Sequence, residues 1–305
     1  MKLDTLSTKN KVPIASSGKK NRLIDKIFIV SILALPVAYF LIFWFYANLQ
    51  SFMMAFQLPT GDWSLVTMKS VFLNFSQSDS SIWISIRNTS LYFVKDLIMM
   101  PFHVVIAYFL FRKVKGYKVF QVILYLPAMV SGVVVVTAFK AFVSPDMLRS
   151  LGLEALELLN RSDTATPTIL ASSIWLGWAG NMLLLGGAMA RIPVEVLESA
   201  RLDGINTPRE IIYMIFPLLW NTLSTFLILQ LTGIFGAGGP ILLFANGNPN
   251  QKISTIGYWI FEKIKYTGAS AYNEVSATGL VFTVVGVPVI LFLRRLIEKV
   301  PTVDY

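Results

Sequence analysis

The chain has 305 residues, of which 55% are hydrophobic and 14% charged, and its formal net charge is +9. This composition is far from that of a soluble globular domain and is typical of a polytopic membrane protein. With one histidine and no cysteine, the chain has no disulfides, no thiolate metal ligands and no histidine-based metal centre. The Lys and Arg residues flank apolar runs and form no continuous basic face, which argues against a nucleic-acid partner.

The first 26 residues are polar and end in the basic stretch "GKKNRLIDK". They are longer than the charged start of a cleaved signal peptide, and the apolar run that follows is long enough to cross a membrane. We therefore predict a cytoplasmic tail at 1–26 and an uncleaved anchor helix at 27–49.

About 20 apolar residues cross the bilayer core as a helix. On this measure the sequence predicts an all-α membrane protein with six transmembrane helices: Ile27–Leu49, Thr89–Phe111, Val119–Val143, Pro167–Ala190, Leu218–Phe244 and Ser276–Leu293. The predicted organisation adds an extracytoplasmic loop at 50–87, a core transmembrane domain at 88–296 and a cytoplasmic C-terminal tail at 297–305.

The distribution of Lys and Arg predicts the orientation of these spans, since basic residues favour the cytoplasmic side. Six spans place both termini on one side, and that side carries 17 basic residues against 7 on the other. Both termini and the 191–217 segment are therefore expected on the cytoplasmic side of the cell (cytoplasmic) membrane.

Three charged residues lie inside the predicted spans. Lys140 is near enough to the end of its span to extend to the interface. Lys95 and Asp96 are adjacent and point to different helix faces, which argues against an ion pair between them. Each is expected to have a partner elsewhere, and a charge within a span indicates function by default.

The segment 191–217 is too long and too apolar for an ordinary loop between spans. Pro193 favours the start of a helix, Gly204 favours a left-handed turn that ends it, and Pro208 can start the next helix. The sequence thus predicts a short helix, a turn and a return to the bilayer. Its acidic residues, Glu195 and Glu198, make a protein partner more fitting than an anionic membrane surface.

Within this segment, Glu198-Ser199-Ala200, three residues, Gly204, nine residues and Met214-Ile215-Phe216-Pro217 resemble the EAA motif of bacterial ABC transporter permeases. Residues 125–146 and 175–193 are similar to the carbohydrate branch of this MetI-like family, and the larger subunit of the maltose permease gives a detailed comparison. The resemblance implies a coupling helix that docks on an ATPase. The coupling residues it implies are Glu198, Ser199, Ala200, Asp203, Gly204 and Pro217.

The resemblance also implies the partners of the chain. They are a second, homologous permease subunit, two cytoplasmic ATPase subunits and an extracytoplasmic solute-binding protein. The carbohydrate branch usually pairs two different permeases, so a heterodimer is expected. No P-loop is present, so the chain is expected to be non-catalytic and to bind no cofactor. ATP and Mg would be bound by the ATPase subunits.

Sugar contacts of the maltose permease, carried over by position, imply a substrate pathway in this chain. The implied residues are Ala128, Gly132, Ser173, Gly177, Gly180, Gln230, Ile234 and Ala237. Trp178 and Asn181 add nearby groups suited to stacking and hydrogen bonding, although core packing explains the tryptophan equally well.

The resemblance implies ATP-driven import of a sugar or oligosaccharide, and two alternatives stay open. The first keeps the importer and changes its cargo to glycerol phosphate, an amino acid or a peptide. The second is a secondary carrier or channel that works alone. An ion-driven carrier usually has several acidic residues in its spans, whereas Asp96 is the only one in the spans predicted here.

Overall fold

A computed structural model describes residues 19–77, 80–153, 157–161, 163–236, 241–245 and 252–301. Within these ranges the structure is helical, and the extended pairing is a single bridge between Gln57 and Trp63. The chain divides into two compact units, 1–53 and 54–305. Ala237, part of the outer segment before Ile256, residues 1–18 of the predicted N-terminal tail and residues 302–305 of the predicted C-terminal tail lie outside the described residues.

The first unit consists, in its described part, of one continuous helical run. This run comprises α1 (Lys19–Tyr39), a π-helical stretch (Phe40–Tyr46) and α2 (Ala47–Met54). Its large apolar side chains are exposed on all sides. A helix that is apolar all round is suited to lipid, and 24–54 is long and apolar enough to cross a membrane.

The second unit holds the other helices. In chain order they are α3 (Val66–Ser76), α4 (Ser81–Phe111), α5 (Tyr117–Met129), α6 (Gly132–Phe142), α7 (Pro145–Ser150), α8 (Ala165–Met189), α9 (Val194–Leu202), α10 (Thr207–Glu210), α11 (Phe216–Gly233), α12 (Ile241–Phe244), α13 (Ile256–Thr267) and α14 (Tyr272–Glu298). A π-helical stretch, Ile211–Ile215, joins α10 to α11, and a 3₁₀ turn, Gly268–Ala271, joins α13 to α14.

The predicted all-α, multi-spanning fold is confirmed. The described part of the chain has five helices long and apolar enough to cross a membrane, and six if α5 and α6 count as one span. The predicted span at 119–143 consists of two helices, because α5 and α6 meet at an angle of 108°. Val130 has an extended backbone at the break, and the preceding Pro127 lacks the N–H of a regular helix.

The fifth predicted span, 218–244, is displaced along the chain. The helical run that can cross the membrane extends from Thr207 to Gly233, so it begins inside the segment that was predicted to be cytoplasmic. Its π-helical stretch lies directly before Pro217. Because proline cannot donate the regular backbone hydrogen bond, a wider turn at this point keeps the helix continuous.

Two clusters of buried side chains hold the second unit together. The first joins α4, α8, α9 and α11 around Tyr108, Met189, Leu197 and Leu219. The second joins α4, α6, α8, α12 and α13. The coupling segment, residues 191–217, is therefore part of the packed core, because Leu197 on α9 belongs to the first cluster.

A third contact joins α14 to the end of α11. The ring of Phe235 stacks on Phe282 with centroids 5.5 Å apart, and it also covers Gly286. A Cβ atom added at Gly286 would overlap this ring. Gly286 is thus required for the close approach of the ring to α14.

We expect Gly286→Ala to lower the thermal stability of the purified chain in detergent. Alanine gains about 1 kcal/mol in helix propensity, but overpacking of a filled site costs about 1–3 kcal/mol. The melting temperature should therefore fall by a few degrees.

Gly279→Ala is the matched control, because Gly279 lies two turns earlier in α14 and nothing is within 4 Å of an added Cβ. This variant should be as stable as the parent or more so. Equal melting temperatures for the two variants would contradict the proposed role of the Phe235 ring.

Candidate functional site

The turn that ends α9 has the geometry expected from the sequence. Gly204 has φ +76°, a left-handed conformation that glycine adopts without steric cost. The backbone N–H of Ile205 donates to the Ala200 carbonyl at 3.2 Å, which is the long hydrogen bond of a Schellman motif. The side chain of Asn206 then accepts from the Arg209 N–H at 3.2 Å and caps α10. The predicted helix, turn and return are thus present.

One face of α9 is buried and the opposite face is exposed. Leu197 and Ala200 are 3% and 5% exposed and pack into the core. The opposite face carries Val194, Glu198 and Leu202 at a spacing of four residues, so their side chains form one ridge. Val194 is 57% exposed and Leu202 is 89% exposed, so the ridge presents two apolar side chains on either side of a carboxylate. We call these three residues the exposed ridge.

The other predicted coupling residues have different surroundings. Ser199 is exposed, but its hydroxyl donates to the Glu195 carbonyl at 2.7 Å, within α9 itself. Asp203 is exposed at the helix end, and Pro217 is half-buried beside the π-helical stretch. Of the six predicted coupling residues, two, Glu198 and Asp203, therefore have exposed charged side chains. The other four contribute to the conformation of the segment or to its return to the membrane.

A buried carboxylate that the sequence interpretation missed connects the coupling segment to α4. Glu210 is 2% exposed, and its Oε1 atom lies 3.9 Å from Nη1 of Arg112. The Arg112 guanidinium lies 5.7 Å from the centre of the Tyr108 ring. Arg112 was assigned only to the set of basic residues that orient the chain, and no pattern in the sequence pairs it with a residue 98 positions away.

The predicted substrate residues fall in separate parts of the second unit. Gln230 lines a cavity of about 190 Å³, together with Thr89, Tyr92, Phe93, Asp96, Gly233 and Ile234. We call it the Asp96 cavity. Its walls come from α4 and from the end of α11, so it brings together Gln230 and Ile234, two of the predicted residues, with an acidic side chain that was not assigned to the pathway.

The expectation that Lys95 and Asp96 form no ion pair was wrong. Nζ of Lys95 lies 2.7 Å from Oδ1 of Asp96. The long lysine side chain bends across the helix surface and reaches its neighbour, although the two Cβ atoms point in different directions. Lys95 is the more buried partner, with 14% of its side chain exposed against 41% for Asp96.

Ser173 is buried and interacts with this ion pair. Its hydroxyl accepts a hydrogen bond from Nζ of Lys95 at 3.1 Å and donates to the Leu170 carbonyl at 2.7 Å. In this structure Ser173 therefore holds Lys95 in place. Its predicted contact with substrate stays a prediction.

Trp178 and Asn181 share one neighbour, His103. The rings of Trp178 and His103 meet edge to face with centroids 4.9 Å apart, and Nδ2 of Asn181 lies 3.3 Å from Nδ1 of His103. Trp178 also packs against the first buried cluster. These contacts tie α8 to α4, so both side chains have a packing role here.

The small residues of the predicted pathway are exposed. Gly177 and Gly180 lie on α8, and nothing is within 4 Å of a Cβ added to either. Ala128 and Gly132 lie on the two sides of the bend between α5 and α6. Lys140 donates to the carbonyls of Leu243 and Phe244 at 3.3 and 3.2 Å, and its predicted position near the membrane interface stays a prediction.

Known proteins resemble the chain over most of its length. Residues 85–300 match the family model described as binding-protein-dependent transport system inner membrane component. The matched range includes the coupling segment and the Asp96 cavity.

Among the described residues, no group of three or more His, Asp or Glu side chains is placed to hold a metal ion.

Individual relatives differ in the cargo that their names state. The arabinooligosaccharides transport system permease protein AraP of Bacillus subtilis is 27% identical over 275 residues, 84% of each chain. The multiple sugar-binding transport system permease protein MsmF of Streptococcus mutans is 25% identical, over 63% of this chain and 67% of its own. The sn-glycerol-3-phosphate transport system permease protein UgpA of Shigella dysenteriae is 24% identical, over 70% and 73%.

A solved structure has the same fold. A chain in the crystal structure of a bacterial ABC transporter involved in the import of the acidic polysaccharide alginate superimposes with a TM-score of 0.76. It is 24% identical, and the match covers 92% of this chain and 99% of the other.

We expect Arg112→Gln to destabilise the chain, because it leaves the Glu210 carboxylate buried without a counter-charge. Removing one partner of a buried ion pair costs about 3–5 kcal/mol, and the partial exposure of Arg112 should reduce this cost to about half. The melting temperature in detergent measures the effect.

Lys113→Gln is the matched control, because it removes the same charge from the next residue, which is exposed. Adding Glu210→Gln to Arg112→Gln should restore part of the lost stability. A loss of stability that is equal in the Arg112 and Lys113 variants would rule out a specific pair.

Proposed function

The chain belongs to the family of binding-protein-dependent transport system inner membrane components, and from this premise we propose that it is the permease subunit of an ATP-driven importer. In this role it forms half of a translocation pathway for a sugar or oligosaccharide. The observation that carries the proposal is the exposed ridge of α9, beside a glycine turn that has the spacing of the EAA motif.

The ridge has the properties of a docking element for an ATPase subunit. Its two apolar ends and the central Glu198 offer both a hydrophobic contact and a charged one. The buried face of α9 packs against α11 and α4, and the Schellman turn fixes the end of the helix. A force applied to the exposed ridge is therefore transmitted to α11 and α4, because α9 is packed against them and is not part of a flexible loop.

The ATPase chemistry belongs to partner subunits in this proposal. Two ATPase subunits bind ATP and Mg, close on ATP binding and move the coupling segments of two permease subunits. The second permease subunit is a homologous chain that completes the pathway. A solute-binding protein delivers the cargo at the opposite end of the membrane helices.

This assignment sets the orientation of the chain in the inner membrane. The coupling segment and both termini face the cytoplasm, as the excess of basic residues on that side favours. The Asp96 cavity then lies deeper along α4, away from the ATPase, since Arg112 marks the cytoplasmic end of that helix and Asp96 precedes it by more than four turns.

A saccharide cargo is supported by the names of the relatives, which include arabinooligosaccharides and multiple sugars. A second cargo class is favoured by the sn-glycerol-3-phosphate relative. Phosphate recognition usually depends on Arg or Lys side chains. Beside the Asp96 cavity the nearest basic group is Lys95, and its charge is paired with Asp96. A saccharide therefore fits this cavity better than a phosphate ester does.

We expect Glu198→Ala and Leu202→Ala to weaken binding of the ATPase subunit and thereby to lower stimulated ATP hydrolysis and transport together. Each substitution removes a contact from the ridge without touching the buried face of α9. Truncation of a central contact residue costs about 2 kcal/mol or more of binding energy, so binding of the ATPase subunit should weaken at least about tenfold. Co-purification and stimulated ATPase activity in proteoliposomes measure this.

Leu65→Ala is the matched control, because Leu65 is also a highly exposed leucine, at 68%, and lies outside α9. It should leave ATPase binding unchanged. Stable purification without any ATPase, together with unchanged uptake by Glu198→Ala, would instead support a carrier that works alone.

A further inference from the structure

The Asp96 carboxylate lines the Asp96 cavity. Asp96 is not among the pathway residues that the family resemblance implies. The Asp96 side chain is 41% exposed and lines the cavity opposite Gln230 and Gly233. A charge within a membrane helix is costly and marks a functional position by default. The Asp96 carboxylate is therefore the feature of this cavity that most needs an explanation.

The surroundings of Asp96 hold its carboxylate in one place. Nζ of Lys95 binds one carboxylate oxygen at 2.7 Å, and Lys95 is itself held by the Ser173 hydroxyl at 3.1 Å. The ammonium also lies 5.6 Å from the centre of the Tyr92 ring. The positive charge is thus more buried than the negative one, and the carboxylate is the partner that faces the cavity.

A second polar side chain of the cavity wall adds a free acceptor. Oε1 of Gln230 is buried and has no hydrogen-bond partner within the described part of the chain. The Thr89 hydroxyl oxygen already accepts from the Ile256 N–H at 3.0 Å. The Asp96 carboxylate and Oε1 of Gln230 are thus acceptors in the wall, and acceptors match the hydroxyl groups of a saccharide.

We propose that Asp96 is a specificity-determining residue of the translocation pathway, which favours uncharged, hydroxyl-rich cargo and disfavours anionic cargo. This proposal rests on the proposed function for its saccharide substrate. A sugar hydroxyl donates to the Asp96 carboxylate or to Gln230. A carboxylate or phosphate group has no proton to donate there at neutral pH, and it meets a like charge.

The absence of cysteine from the chain allows a direct test of the charge. Gly233→Cys places one thiol in the cavity wall, and nothing lies within 4 Å of a Cβ at this position. The full chain in membrane vesicles is labelled with a cationic and with an anionic methanethiosulfonate. The rate of labelling is measured for each reagent, and the rate for the cationic reagent is divided by the rate for the anionic one. This ratio is then divided by the ratio measured for the reaction of the same two reagents with free 2-mercaptoethanol, so that their different intrinsic reactivities cancel. We call the result the normalised ratio.

We expect the normalised ratio to exceed one in Gly233→Cys, because the Asp96 carboxylate attracts the cationic reagent. The ratio should fall about fivefold when Asp96→Asn is added, which is the effect of two charges several ångströms apart at an intermediate dielectric constant. Lys95→Gln should change the ratio in the opposite direction, so the test does not depend on one variant folding. An unchanged ratio in both double variants would overturn the proposal, as would a thiol that neither reagent reaches.

Protection of the same thiol by ligands tests the cargo class. A neutral arabino-oligosaccharide should slow the labelling of Gly233→Cys, an oligogalacturonate of equal length should not, and Asp96→Asn should narrow the difference. Equal protection by both would overturn the specificity role. If neither sugar protects while the charge ratio stays high, the saccharide cargo is wrong and the failure lies in the proposed function.

Discussion

The hydrocarbon core of the bilayer offers no water, so every backbone N–H and C=O group in it needs a partner within the protein. This constraint explains why the spans are helices and why their interruptions occur beside polar side chains. Asn88 on α4 donates to the carbonyls of Lys252 and Ser254, both at 2.9 Å. Asn273 on α14 donates to those of Met54 and Gln57. These amides satisfy carbonyl groups of irregular backbone and, at Met54, of a helix end.

In the coupling segment, the pairing of backbone groups at helix ends restricts the turn between α9 and α10. A reversal of direction between α9 and α10 exposes carbonyl groups at one helix end and N–H groups at the next. The Ile205 N–H and the Asn206 side chain satisfy a group on each side of Gly204. The turn therefore has little freedom to flex. A rigid turn is what a mechanical link between an ATPase and a membrane helix requires.

Features that depend on local physics were predictable from the sequence. The apolar runs predicted the spans, and Gly204 predicted the end of α9, because glycine has a low steric cost in a left-handed turn. The bend between α5 and α6 was not predictable from hydropathy, which is continuous through it. The helix start beside Pro208 was predicted, but its continuation into the fifth span was not, because the charged residues of a cytoplasmic turn and of a helix that continues into the membrane have the same composition.

Contacts between distant parts of the chain were the least predictable, and they decide the chemistry of the site. Gln230 was identified by family resemblance, but its proximity to Asp96 depends on how α11 packs against α4. The Lys95–Asp96 pair was not predicted for a different reason. The Cβ atoms of the two residues point in different directions, and the length of the lysine side chain brings the charges together. Helical spacing rules compare side chains of similar length. For a lysine beside an aspartate, the flexible four-carbon stem allows the charges to meet, and burial of the ammonium leaves the carboxylate to face the cavity.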